Sequence, residues 1–302
     1  MSEPLFPETQ TDYRRIWVWA VPFLVLLLFL AGQLLVLLPA DALGWVTRET
    51  VETYPTVLFV IIGSFAMVAV LFSAWVKLVE RRSMAGVGLS FDNRSSRFYI
   101  GGYGAGLLMG IGVVGAIFLS GGYRLEAADA SRDLVPILLL MFAFILQSGT
   151  EELIFRGWMM GRIAERYGLR IAVIGNSLLF SLMHVDVDGL GSTSVMTIVF
   201  LATMTCMFSI FLSLLVIRQR SVLGAAAWHA AWNWVFITWF GLPTTGIDLG
   251  LKPLVADLAP VNDAAEWLTG GNIGPEGSVM ALVVLGIGCA VLWRRGGGVE
   301  AA

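Results

Sequence analysis

Eight apolar runs divide the chain, most of them close to 20 residues long, and a run of about that length crosses a bilayer as a helix. They read roughly Ile16–Leu38, Tyr54–Val79, Phe98–Ser120, Leu134–Thr150, Leu169–His184, Ser194–Ile217, Val222–Phe240 and Gly277–Trp293. The expected fold is all-α: a polytopic membrane helical bundle of about eight transmembrane helices, forming one integral membrane domain over 1–302. Composition closes off the soluble alternatives. Of 302 residues only 14% are charged, against roughly 25% in an average soluble domain. A net charge of −3 offers no basic field for phosphate, so no nucleic-acid partner is expected. The two cysteines, Cys206 and Cys289, sit inside apolar runs and form neither a disulfide framework nor a zinc-finger pattern.

Basic residues orient such a set, because cytoplasmic loops carry the excess of Lys and Arg. Arg14, Arg15, Lys77, Arg81, Arg82, Arg94, Arg97, Arg156, Arg162, Arg166, Arg170, Arg218, Arg220, Arg294 and Arg295 fall on one side, 15 of the 19 basic residues. The opposite loops hold Arg48, Arg124, Arg132 and Lys252, together with acids that include Asp186, Asp188, Asp248, Asp257, Asp263, Glu266 and Glu276. Both termini are then cytoplasmic. Short loops suit a prokaryotic cell membrane. Arg14-Arg15 before the first run and Ala40-Asp41-Ala42 after it resemble a signal peptide. Its run of about 23 residues exceeds the usual 7–15 and reads as an uncleaved anchor. The longest loop, Gly241–Glu276, contains four prolines and is expected outside and partly ordered. Gly102, Gly106 and Gly110 make a flat face on the third span, for packing within the bundle or for a dimer. Trp228, Trp232, Trp234 and Trp239 fit either an interfacial belt or the walls of a pocket.

Ionisable residues inside the runs carry the functional information. A charge at mid-bilayer costs about 2.5–3.5 kcal/mol on insertion scales, so it needs a partner, a wet cavity or a role. Glu151, Glu152, His184 and His229 stand out, and the last two are the only histidines in the chain. Glu152 and Arg156 have the favourable i, i+4 order of a helical ion pair, which gives Glu152 a structural role. Glu151 gets no such partner from its own helix. Asn233 shares a helix face with His229. Gly168 is a plausible helix stop between Glu151 and His184. An antiparallel hairpin turning there lets those two face each other, roughly 25 Å from the turn at 1.5 Å per residue. If the Arg162, Arg166 and Arg170 end protrudes by ~10 Å, the pair lies at a depth of roughly 15 Å. His229, nine residues past Arg220, falls at about 14 Å. The three meet near mid-membrane, in a site expected to open toward the cytoplasmic side.

The run Glu151-Glu152-Leu153-Ile154-Phe155-Arg156 resembles the first motif of the CAAX protease and bacteriocin-processing intramembrane proteases. Phe180 and His184, four apart, resemble the second, and His229 and Asn233, four apart, the third. The resemblance covers about 134–240, the expected catalytic core. It implies an endopeptidase acting on a peptide or on a lipidated, CAAX-like membrane protein. Glu151 and His184 would activate water, His229 and Asn233 would stabilise the oxyanion, and Glu152 and Arg156 would support them. The family is commonly described as metallo-dependent, and Glu151, His184 and His229 would make a two-histidine, one-carboxylate site for Zn2+. A metal-free route uses the same residues with Glu151 as base. Two other classes remain: a proton-coupled transporter, for which no internal repeat is visible, and a non-catalytic scaffold or immunity protein. Substrate and oligomeric state are not legible.

Overall fold

The computed structural model describes residues 4–6, 13–47, 50, 53–126, 131–184 and 195–295. Arg48, Asp186 and Asp188 lie outside the described residues. α1 (Val21–Ala42) and α2 (Tyr54–Ala74) each carry a proline in the first turn, where a missing amide hydrogen breaks no helical bond. A π-helical turn, Trp75–Val79, ends α2, and α3 (Ser95–Leu119) follows. α4 (Leu134–Glu152), a π-helical stretch Leu153–Met159 and α5 (Met160–Tyr167) run unbroken from Leu134 to Tyr167. Gly168, at φ +82°, turns the chain directly into α6 (Leu169–Met183). Then come α7 (Val195–Gln219), α8 (Leu223–Trp239), the short α9 (Glu266–Thr269) and α10 (Val279–Arg295).

Each apolar run thus lies on a helix, and among the described residues the fold is all-helical but for one pair of three-residue strands. Among the described residues, five helices are long and apolar enough to cross a membrane: Val18–Ala42, Tyr54–Val79, Ser95–Leu119, Leu134–Tyr167 and Val199–Gln219. α6 and α10 are apolar but shorter. α8 has 17 residues, and all of them from Leu223 to Thr238 are buried. It is the axis of the bundle. Gly102, Gly106 and Gly110 explain how α3 reaches it. A Cβ on Gly102 would stand 2.2 Å from the Gly224 carbonyl oxygen, and one on Gly106 2.4 Å from that of Trp228. The glycine face therefore packs within the chain, helix backbone on helix backbone.

The two ends of the bundle differ in character. At one end Arg14 N–H donates to the Glu80 carbonyl, Arg162 to the Ile16 carbonyl, and Val222 N–H to the Gly88 carbonyl. Glu165 receives Arg15, Arg82 and Arg162 there. The N-terminal segment covers the Arg162 side of the hairpin end, while Arg166 and Arg170 at its tip are exposed. Arg162 is buried, and the buried Phe6 ring packs over Gly88 and Gly161. At the other end β1 (Tyr123–Leu125) pairs antiparallel with β2 (Leu258–Pro260). Lys252 N–H donates to Asp133, and the Tyr123 hydroxyl donates to the Thr269 carbonyl. The long Gly241–Glu276 loop is thereby tied down over the ends of α3, α4 and α8.

Candidate active site

Glu151 and Glu152 are the last two residues of α4, at the mouth of the π-helical stretch. Single wide turns of this kind recur at functional sites in helices. Glu152 is wholly buried and accepts two charge-assisted hydrogen bonds on one oxygen. Arg156 Nη1 donates from 3.0 Å, and His229 Nδ1 stands 2.9 Å away. The expected i, i+4 pair is present, but it is half of a three-residue network. A carboxylate on one ring nitrogen fixes the imidazole's tautomer and orientation. Glu152 therefore turns Nε2 of His229 toward Glu151, whose Oε2 lies 3.9 Å away. That exceeds a hydrogen bond but remains a close approach of opposite charges when the ring is protonated. Glu151 Oε2 is buried and has no hydrogen-bond partner among the described residues.

The second motif joins the network through aromatic faces. The Arg156 guanidinium lies 4.1 Å from the Phe180 ring centroid, an exchange of cation for π-face. The same ring packs 4.3 Å from the imidazole of His184. His184 caps the end of α6, and its Nδ1 lies 2.7 Å from the Phe180 carbonyl oxygen. Only a protonated Nδ1 can make that bond, so in the neutral ring Nε2 is the acceptor.

A cavity of about 510 Å³ collects the rest. His184, His229 and Asn233 line it together with Phe180, Phe208 and Trp232. Trp228 and Trp232 stack at 4.8 Å in the interior, and Trp234 is buried as well. None of these three is exposed as an interfacial belt would require, and of them Trp232 lines the cavity while Trp228 and Trp234 pack in the core. The far wall comes from the long loop. Thr245, Glu266, Asn272 and Glu276 line it, with Glu276 accepting from Trp232 Nε1 and from the Thr245 amide and hydroxyl. Sequence reasoning missed this wall, because no spacing ties Glu276 to a residue 44 positions earlier.

Two expectations are not met in this arrangement. No hydrogen bond or ion pair joins Glu151 to His184 among the described residues, and Glu151 does not line the cavity. It communicates with the cavity through His229. Nor do three His, Cys, Asp or Glu side chains stand together as a metal set among the described residues. Glu151, His184 and His229 are not grouped as a three-ligand set in this arrangement. The cavity also runs to the end of the acid-bearing loop, not to the arginine end. His184 lies 14 residues beyond Arg170, about 21 Å along the helix. The site was expected to open toward the arginine-bearing side, whereas the cavity wall comes from the opposite loop.

Residues 133–235 match the family model described as type II CAAX prenyl endopeptidase, Rce1-like. This part of the chain is similar to that family. The match runs from the residue before α4 into α8, so it contains Glu151, Glu152, Arg156, His184, His229 and Asn233. It covers a third of the chain. Neither the curated proteins nor the solved structures gave a match. The Rce1-like family is one of CAAX proteases, hydrolases of the membrane, and the five apolar helices agree with an integral membrane protein.

Proposed function

We propose that the chain is an intramembrane endopeptidase that hydrolyses a peptide bond in the cavity bounded by His184, His229 and Asn233. Its substrate is a peptide or a lipidated, CAAX-like membrane protein, and its catalytic core spans about 134–240. Eight spans with both termini on the cytoplasmic side of a prokaryotic cell membrane are the topology that the arginine distribution favours. One observation carries the catalytic reading. Glu152, itself anchored by Arg156, holds His229 by Nδ1 on the wall of a cavity that also presents His184 and Asn233.

Each group then has work to do. His184 Nε2 accepts a proton from water as the water oxygen attacks the substrate carbonyl carbon. Glu151 is the second member of the water-activating pair, acting beside His229. In its imidazolium form His229 donates to Glu152 through Nδ1 and keeps Nε2–H for the developing oxyanion. Asn233, one turn along the same face of α8, adds an amide N–H to that oxyanion. Collapse of the intermediate breaks the carbon–nitrogen bond, and the proton held by His184 passes to the leaving amine. A zinc ion bound by Glu151, His184 and His229 would supply Lewis-acid activation of water and carbonyl. Since those side chains do not converge, no step above runs through it.

Purified protein and an internally quenched peptide test the proposal. Cleavage by wild type and its loss in Glu151→Ala and His184→Ala, at matched purity and fold, support it. Equal cleavage by Glu151→Ala and wild type would sink the catalytic assignment.

A further inference from the structure

The cavity and the arginines occupy opposite ends of the bundle. Fourteen of the 19 basic residues belong to one end or its flanking helix turns, and Arg156 lies deeper, paired with Glu152. The folded chain gathers that end together: the N-terminal segment, the residues around Glu80–Gly88, the end of α5 and the link before α8 bond to one another. Between it and the site the interior is filled. Phe6, Phe155, Arg156, Trp158, Met159 and Met160 are each at most 1% exposed. Nothing of peptide size passes through that layer without displacing a buried arginine and the aromatic rings around it.

The other end is built differently. The cavity wall includes Thr245, Glu266, Gly270, Asn272 and Glu276, all from the loop that β2 and Lys252 fasten to the tops of α3 and α4. His184 and Asn233 lie in the halves of α6 and α8 that point to this loop. Asn233 is seven residues from Phe240, about 10 Å along the helix. The loop itself is acid-rich: Asp248, Asp257, Asp263, Glu266 and Glu276 against the single Lys252.

The positive-inside bias places the arginine end in the cytoplasm. We infer that the cavity opens on the non-cytoplasmic side, and that the segment cleaved there is presented from that side. The substrate class is then an exported peptide or the outward-facing part of a membrane protein. Of the two substrate classes proposed above, this favours the peptide over a protein anchored by a lipid to the cytoplasmic leaflet. This identification of the substrate rests on the proteolysis proposed above, whereas the side of opening does not.

Single cysteines in a Cys206→Ala, Cys289→Ala background separate the two. Asn272→Cys sits on the cavity wall and Arg166→Cys at the arginine end, and both positions are exposed. The protein is expressed in a bacterial inner membrane, and spheroplasts are treated with a membrane-impermeant maleimide. Labelling of Asn272→Cys in intact spheroplasts, with Arg166→Cys labelled only after permeabilisation, supports the inference. The reverse pattern overturns it, as does labelling of both positions only after permeabilisation. The readout does not use activity. Failure of the Glu151→Ala test and reversed labelling are therefore separate results.

Discussion

Glu152 offers the sharpest perturbation, because its two partners make different demands. It is wholly buried, as is Arg156, and the two pair at 3.0 Å. Glu152→Ala leaves the Arg156 guanidinium buried with its charge uncompensated. Removing one partner of a buried ion pair costs about 3–5 kcal/mol, chiefly because the other charge stays behind. Cation–π contact with Phe180 at 4.1 Å returns part of this, about 1–2 kcal/mol where the cation is desolvated. The net expectation is a loss of about 1–4 kcal/mol. The double variant Glu152→Leu, Arg156→Met replaces the pair by apolar groups, a change that is often near neutral. It should recover most of the stability. It should not recover activity, since His229 still lacks the acceptor at Nδ1 that orients its ring. Reversible unfolding in mixed detergent micelles measures the first effect, and cleavage of a quenched peptide the second. Activity restored together with stability would refute the view that Glu152 positions His229. So would a single variant that loses less than about 1 kcal/mol, the worth of an ordinary exposed pair.

Further expectations follow from the same geometry. Asn233→Ala should lower kcat about 10²–10³-fold with little change in KM, as expected for a donor used only in the transition state; an equal rise in KM with kcat intact would assign Asn233 to substrate binding. Gly106→Val should abolish folding or expression, because even a Cβ there meets the Trp228 carbonyl oxygen at 2.4 Å, whereas Gly112→Ala meets nothing within 4 Å and should express normally. Dialysis against a chelator should leave cleavage intact, given that no three ligands converge among the described residues. Loss of activity restored by zinc alone would instead assign Glu151, His184 and His229 to the metal.

How much of this was legible in the sequence depends on how local each feature is. Helix positions were, since twenty apolar residues in a row are a property of the run itself. The Gly168 turn was legible too, because a positive φ favours glycine. The Glu152–Arg156 pair followed from i, i+4 spacing. Tertiary partners were not. Glu152 and His229 are 77 residues apart, and nothing in either segment announces the other. The tryptophans of α8 look like a belt until the helix is seen at the centre of the bundle. Glu276 and Thr245 lie in a loop with no periodic pattern, so the far wall of the cavity had no signal. Depth along a helix can be counted from its arginines. Which end of the bundle is open depends on the packing of Phe6, Arg156 and Trp158, and that was out of reach.

Hydrolysis in heavy-oxygen water tests the central claim most directly. Purified wild-type protein is incubated with a peptide substrate, and the products are weighed by mass spectrometry. Wild type should yield two fragments with one heavy oxygen in the new carboxyl terminus. Glu151→Ala and His184→Ala, folded and pure to the same degree, should yield intact peptide. Cleavage that persists unchanged in both variants, or a peptide that wild type leaves whole, would contradict the assignment of this cavity as a protease site.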